Sequence, residues 1–262
     1  MHILKWLIDF YIQSSLHVGL AVMSLVYLTT FSSGMTKHIV YPSCVFFGTV
    51  LGYNFLKYYK VITINNFFSK KYYGILVINI LASMGFLYFF LCLKHSIQWH
   101  ILISGIFVLV YPFLRKYGWI KLFLVSFVVT YITVYIPYQS LKGLPIDYYI
   151  NLVQRFIIII SLLIPFEIMD SKTDAISMNT LPQLFGINKS KVFGVLLVIP
   201  FIVLEFLKQK ADYLVIPIGI ITILFINFTT LERSKYYTSF WVESVPILWL
   251  SLLSLSYNIS FW

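Results

Sequence analysis

Charge is what this sequence has least of. Of its 262 residues only 11% are Asp, Glu, Lys or Arg, and nine are acidic. Soluble globular domains carry about 25% charged residues, so an ordinary soluble enzyme or binding module is excluded by composition. Cysteine is nearly absent. Cys44 and Cys92 both sit inside apolar runs with no partner motif, which argues against a disulfide framework and against a thiolate metal site. No polar stretch is long enough for a separate soluble domain, so the apolar N-terminal region does not read as a signal peptide ahead of one. A short-period repeat is missing too. So is the alternation of about ten residues that marks a membrane β-barrel; Phe156–Phe166 is an almost unbroken apolar block.

What is present is hydrophobicity, at 60% of residues, in recurrent runs of about the 20 residues a helix needs to cross a bilayer. The expected spans are 14–31, 38–56, 73–93, 97–114, 119–136, 149–167, 191–207, 211–230 and 239–260. Residues 3–12, with Lys5 and Asp9 among Leu, Trp, Phe and Tyr, read as a short interfacial helix. Lipid offers no partner to an open strand edge, so the spans must be helices. The fold class is all-α, a polytopic nine-helix bundle forming one transmembrane domain over residues 1–262.

The net charge of +10 does not point to nucleic acid, because the basic residues lie between apolar segments. With nine spans, the N-terminal side holds Lys5, Lys57, Lys60, Lys70, Lys71, Arg115, Lys116, Lys121, Lys172, Lys189, Lys191, Arg233 and Lys235. The other side holds Lys37, Lys94, Lys142, Lys208 and Lys210. Positive charge gathers on the cytoplasmic side, which puts the N-terminus inside and the C-terminus outside. Arg155 remains within the sixth segment, from which its long side chain is expected to snorkel outward.

Three of the nine acids stand together in Pro165–Phe–Glu167–Ile–Met–Asp170–Ser–Lys–Thr–Asp174, at the end of the sixth segment. At 100° per residue they fall within about 60° of one another on a helix. Carboxylates at a membrane boundary are costly unless hydrated, paired or bound to cations. Oxygen clusters suit Mg²⁺, which usually binds one or two carboxylates plus substrate phosphates. A solvated loop of ordinary surface acids is the competing reading.

Here the sequence resembles a family. Glu167-x-x-Asp170-x-x-x-Asp174 looks like the second aspartate-rich motif, D-x-x-D-x-x-x-D, of the UbiA-type intramembrane prenyltransferases. Asn179–Thr–Leu–Pro–Gln–Leu–Phe–Gly186 is similar to the family's T-L-P-x-x-x-G stretch, and Tyr111–Pro–Phe–Leu–Arg115–Lys116 to its Y-x-x-x-K-R stretch. The resemblance implies a helical bundle in which acidic motifs hold Mg²⁺ on the diphosphate of an isoprenoid donor, with the prenyl tail in an apolar cavity and a lipophilic acceptor attacking the allylic carbon. It also implies that Asp170 and Asp174 are metal or diphosphate ligands, Glu167 fills the first acidic position, and Arg115 and Lys116 contact phosphate. The implied partners are a prenyl diphosphate, a lipophilic acceptor and membrane lipids, and the implied location is a bacterial-type inner membrane.

The family's first motif, N-D-x-x-D-x-x-x-D, is not retained. Its place reads Asn54–Phe–Leu–Lys57–Tyr58–Tyr–Lys60–Val–Ile62: Asn54 matches, but Phe55, Tyr58 and Ile62 replace the aspartates. Lys57 and Lys60, at i and i+3, share a helix face and could bind phosphate directly as point charges. They could equally be juxtamembrane cations reaching for anionic headgroups.

Other polar residues carry less. His17, Asn79, Asn227, Ser126, Thr130 and Thr133 fit hydrogen bonding and packing between helices. The 24 Phe and 20 Tyr could line a prenyl tunnel, or face lipid, with Trp99, Trp119, Trp241 and Trp262 placed as an interfacial belt. Three functions follow: prenyl transfer to a lipophilic acceptor; a non-catalytic relative that binds an isoprenoid lipid or a membrane partner, suggested by the lost motif; and a transporter. The last lacks paired helix-breaking positions in two related halves.

Overall fold

In a computed structural model, residues 2–35, 38–63, 72–114, 117–139, 141, 143–173 and 178–257 are described. Asp174, Arg115, Lys116 and Trp262 lie outside them, as does the side chain of Lys60. The described elements are all helical: α1 (His2–Gln13), α2 (Leu16–Ser32), α3 (Val40–Thr63), α4 (Tyr73–Leu91), α5 (His95–Leu114), α6 (Gly118–Tyr138), α7 (Ile146–Asp170), the short α8 (Leu181–Phe185), α9 (Ile187–Leu207), α10 (Val215–Phe228) and α11 (Tyr237–Ser256). An apolar chain in lipid must satisfy its backbone within each segment, which leaves the helix as its local solution.

Six of these helices, α4, α5, α6, α7, α9 and α11, are long and apolar enough to cross a membrane. The chain is therefore an integral membrane protein. A helix stands at each of the nine expected places, but length and composition qualify six crossings, or seven with α1 and α2 taken as one bent span. Three helices make the difference from nine: α3, 24 residues long, is not apolar enough, with Asn54, Lys57 and several Tyr along it, and the other two fail by geometry. The 14 residues of α10 reach about 21 Å at 1.5 Å each, short of a hydrocarbon core of about 30 Å. α2 is parted from α1 by a 62° bend.

That bend is built at Ser14–Ser15, where Ser15 takes a left-handed conformation at φ 61°. Asn54 of α3 fastens it: its amide donates to Ser14 O (3.0 Å) and to Asn79 Oδ1 of α4 (2.8 Å), and its oxygen accepts from Ser15 Oγ (2.7 Å). α1 is thereby laid against one end of the bundle, where Tyr58 donates to Gln13 O and Tyr236 to Asp9.

Packing is uneven. Ile158, Ile164 and Ile168 of α7 join Phe201 of α9, Ile218 and Ile226 of α10 and Leu253 of α11 in one dense core. α7 is the most buried of the six long apolar helices. By contrast, α4 and α5 bury only Ile75, Ala82 and Ser104 and expose large apolar side chains such as Ile80, Leu87, Ile106 and Phe113, as lipid-facing helices do. Trp99, Trp119 and Trp241 are exposed as well. The side of the bundle framed by α3, α5 and α6 is left unfilled.

Candidate functional site

The unfilled side is a cavity of about 540 Å³ walled by α2 to α7 and α11, within the range of about 300–1,000 Å³ typical of small-molecule pockets. Its walls are almost wholly apolar, among them Leu25, Val45, Phe86, Phe107, Val128, Leu162 and Phe166. Glycine contributes to its shape: Gly48 and Gly52 keep α3 thin on this face, and a Cβ on Gly48 would come 3.1 Å from Phe86. Apolar side chains from seven helices enclose a volume that an elongated hydrocarbon can enter.

Polar groups on the wall are few, and the ionisable acid among them is Glu243. Tyr53 of α3 donates a hydrogen bond to the carboxyl of Glu243 on α11, and both line the cavity. Asp170, at the end of α7, and Tyr111, near the end of α5, lie close enough to act electrostatically on the Tyr53 hydroxyl. Lys57, one turn beyond Tyr53, acts on Glu243 in the same way. Its Nζ donates to Ile12 O (3.1 Å) and Gln13 O (3.4 Å) at the end of α1. Tyr53 and Glu243 on the cavity wall thus have a carboxylate of α7 and a lysine of α3 within electrostatic reach.

A wide turn prepares the position of Glu243. Residues Tyr237–Val242 form a π-helical turn, an irregularity often found at functional sites. The carbonyl of Phe240, bonded by the backbone N–H of Ser244 (2.9 Å), also accepts from His17 Nε2 (2.9 Å) and Ser244 Oγ (2.6 Å). His17 Nδ1 lies 3.0 Å from Tyr11 Oη. A carbonyl can only accept, so Nε2 carries the hydrogen and Nδ1 accepts from Tyr11. His17 is thus a hydrogen-bonded bundle residue that pins α2 to α11 beside Glu243.

The residues singled out in the sequence part company here. Asp170 is exposed at the cavity end, but Glu167 is buried and paired with Lys121 of α6, 2.9 Å away. Asn54 has its oxygen and both amide hydrogens committed to Ser15, Ser14 and Asn79, so it fastens the α1–α2 bend. Lys57 reaches the site, with two hydrogens directed to carbonyls. The segment Asn179–Gly186 is a helix-turn device. Asn179 is left-handed at φ 52°, the backbone N–H of Thr180 donates to Gln183 Oε1 (3.0 Å), Pro182 sits in the first turn of α8, and Gly186 turns the chain into α9 at φ 84°. This segment packs on Gly118 at the start of α6 so closely that a Cβ there would come 2.4 Å from Met178 O.

Glu243 and Lys121 were not singled out as site or pairing residues. A lone acid inside the last apolar segment was the available signal, since an ionisable residue at membrane depth marks a functional site by default. Arg155 does not snorkel outward. It is buried, with Nη2 donating to Thr29 Oγ1 of α2 (3.2 Å) and its guanidinium 5.8 Å from the Trp249 ring of α11. The interior offers it a hydroxyl and an aromatic face.

Among the described residues no group of three or more His, Cys, Asp or Glu could hold a metal ion by itself. The oxygen donors at the cavity end, Asp170 and Glu243 about Tyr53, are of the chemical kind Mg²⁺ takes, and their number suits an ion whose other ligands are phosphate oxygens and water.

The architecture has a solved counterpart. A structure of a digeranylgeranylglyceryl phosphate synthase in membranes superposes with a TM-score of 0.57 at 17% sequence identity, over 100% of this chain and 99% of that one. No family model matches the chain, and no curated protein matches it in sequence. The likeness runs the full length of both chains and is one of fold.

Proposed function

We propose that this integral membrane protein transfers a prenyl group from an isoprenyl diphosphate to a lipophilic acceptor. The observation that carries the proposal is the 540 Å³ apolar cavity whose wall includes Tyr53 and Glu243, with Asp170 and Lys57 near enough to act on them electrostatically. A prenyl diphosphate has this same division, a long apolar chain ending in a compact multiple anion. The fold shared with a prenyltransferase agrees with it.

In this reading the prenyl chain lies among Phe86, Phe107, Leu162 and Phe166, whose apolar surfaces exclude water from the allylic carbon. Asp170, with Asp174 of the same motif, would hold Mg²⁺, which when bound supplies charge stabilisation on the departing diphosphate. Lys57 has a third hydrogen to offer the diphosphate, and Lys60, Arg115 and Lys116 are its further contacts. When the allylic C–O bond breaks, diphosphate leaves with the bonding pair, and the acceptor's carbon or oxygen bonds to the allylic carbon. The acceptor's proton then needs a destination. Glu243, on the cavity wall, receives it, with Tyr53 holding the carboxyl in place. Glu167 supports the site through Lys121 and does not touch substrate. Nine crossings, a single transmembrane unit over residues 1–262, an interfacial α1 and a motif-bearing end on the cytoplasmic side of a bacterial inner membrane complete the proposal; the bias of Lys and Arg supports this orientation.

A prenyl-transfer assay tests it. Membranes carrying the chain receive labelled prenyl diphosphates and lipid extracts, with and without Mg²⁺. The expected result is a labelled lipid that requires Mg²⁺, is lost in Asp170→Asn, and forms about 10²–10⁴-fold more slowly in Glu243→Gln. A folded protein that gives no product with any donor overturns the transferase reading. The second reading, a UbiA-type fold that binds an isoprenoid lipid without reacting it, is favoured by the aspartate positions occupied by Phe55, Tyr58 and Ile62. It expects labelled lipid to be retained and unchanged.

A further inference from the structure

Arg155 lies at the other end of the bundle from this site. It is 15 residues before Asp170 on α7 (155 to 170), which at 1.5 Å per residue is about 22 Å. Its side chain lines a second cavity, of about 30 Å³, bordered by Lys208, Lys210, Asp212, Trp249 and Phe31. At about 10–15 Å³ for each water-sized occupant, there is room for two or three oxygen atoms. Arg155 is 6% exposed. One of its terminal nitrogens donates to Thr29, and the other, Nη1, has no hydrogen-bond partner among the described residues.

The acids around it are bonded to other donors. Lys208 pairs with Glu205 at 2.7 Å, and Glu205 also accepts from Gln154 Nε2 (2.9 Å) and from the backbone N–H of Asp212 (2.7 Å). Asp212 accepts from Trp249 Nε1 (3.1 Å) and from the backbone N–H of Leu214 (3.1 Å). Both carboxylates are thus committed to donors other than Arg155. Lys210, exposed at the rim, stands 5.2 Å over the Phe31 ring. Asp147, the third acid at this end, accepts from the backbone N–H of Gln209 (3.0 Å), so each nearby carboxylate is bonded to another donor and the buried guanidinium keeps Nη1 unmatched. A buried charge left unpaired is expensive, whereas a guanidinium binds an oxyanion with strong, directional hydrogen bonds.

We infer that this end of the bundle carries an oxyanion-binding site, in which Arg155 Nη1 and Lys210 Nζ hold the oxygens of one phosphate group, belonging to an anionic lipid headgroup or to free phosphate. The occupant's small head enters between α7 and α11 against Trp249, and Lys208 stays with Glu205. The site is independent of the prenyl-transfer reading, since none of its groups reaches the large cavity.

The test uses the full chain purified in dodecyl maltoside, whose headgroup is uncharged, with thermal unfolding followed by tryptophan fluorescence. One arm titrates inorganic phosphate at constant ionic strength against chloride. The other compares phosphatidylglycerol with phosphatidylcholine at equal mole fraction. The unfolding midpoint is expected to rise in one arm, and which arm identifies the source. Lys210→Ala, at an exposed position, should raise the half-saturating concentration about tenfold, the size of one charge-assisted hydrogen bond. Arg155→Gln should abolish the response. A midpoint that moves in neither arm, with Nη1 met by water alone, overturns the inference. So does a response of equal size in the wild type and Lys210→Ala, which carries the test if Arg155→Gln does not fold.

Discussion

The Lys121–Glu167 pair decides whether the first acid of the motif belongs to the chemistry or to the scaffold. Its atoms are 2.9 Å apart and the two side chains 8% and 6% exposed, so neither charge has bulk water to return to if its partner is removed. Stranding one member of such a pair costs about 3–5 kcal/mol, while replacing both with apolar groups of similar volume is neutral or mildly stabilising. Lys121→Met and Glu167→Leu should therefore each destabilise by about 3–5 kcal/mol, and the double variant should lie within about 1 kcal/mol of the wild type. Unfolding in mixed micelles with increasing dodecyl sulfate provides the assay, with all four proteins compared at one pH and lipid content. Single costs that simply add in the double variant would refute the pairing. Activity separates the second question: the double variant should keep prenyl transfer, because Glu167 acts by holding α6 to α7. A stable double variant devoid of transfer would return Glu167 to the reacting site.

Gly118→Ala should lower the thermal midpoint and open the 178–186 segment to limited proteolysis, because its Cβ meets backbone atoms at 2.4 and 2.6 Å and such overpacking costs about 1–3 kcal/mol or more. Asn54→Leu strands the Ser14 carbonyl, at about 1–3 kcal/mol for each buried polar group left unpaired, and should make α1 cleavable by protease while the bundle stays folded. Burial raises the Asp212 carboxyl above its ordinary 3.8, so the folded state keeps a proton that the unfolded state has lost. Its contribution is then fully present below pH 3.8 and is lost as pH rises through the raised value. Asp212→Asn removes that slope, and unfolding midpoints of the two proteins should diverge as pH rises through this window.

Helix positions were legible because lipid removes the alternatives: an apolar run of the right length has one way to satisfy its backbone. Three of the nine expected crossings do not stand out by length and composition, for different reasons: Ser15 parts α1 from α2, α10 is short, and α3 carries Asn54, Lys57 and several Tyr among its apolar residues. Helical spacing put Glu167 and Asp170 on one face, yet one turn suffices to bury Glu167 against Lys121 and leave Asp170 at the open end. The inward course of Arg155 depends on Thr29 and Trp249, 126 residues before it and 94 after it (155 to 249), and no local pattern announces such partners. Asn179–Gly186 is singled out in the sequence by likeness to a family stretch, not as a turn; its structure proves to be local turn chemistry, a left-handed Asn, a capping Gln, an early Pro and a Gly at positive φ.

The missing aspartates of α3 acquire a different meaning beside Glu243. A carboxylate reaches the same wall from α11, bonded to Tyr53, the neighbour of Asn54 where the first motif would begin. With acids already arriving from α7 and α11, a further set on α3 would crowd like charges at the edge of a low-dielectric cavity, where each must be paired or neutralised. Lys57 on α3 does the opposite, placing a cation between Glu243 and the end of α1. A mouth with few acids and added lysines suits a single metal ion, with ammonium groups taking the phosphate charge that a second ion would otherwise meet. On this view the site has redistributed its charge between helices, and the loss of a motif from one of them does not by itself remove the means of ionising a prenyl diphosphate.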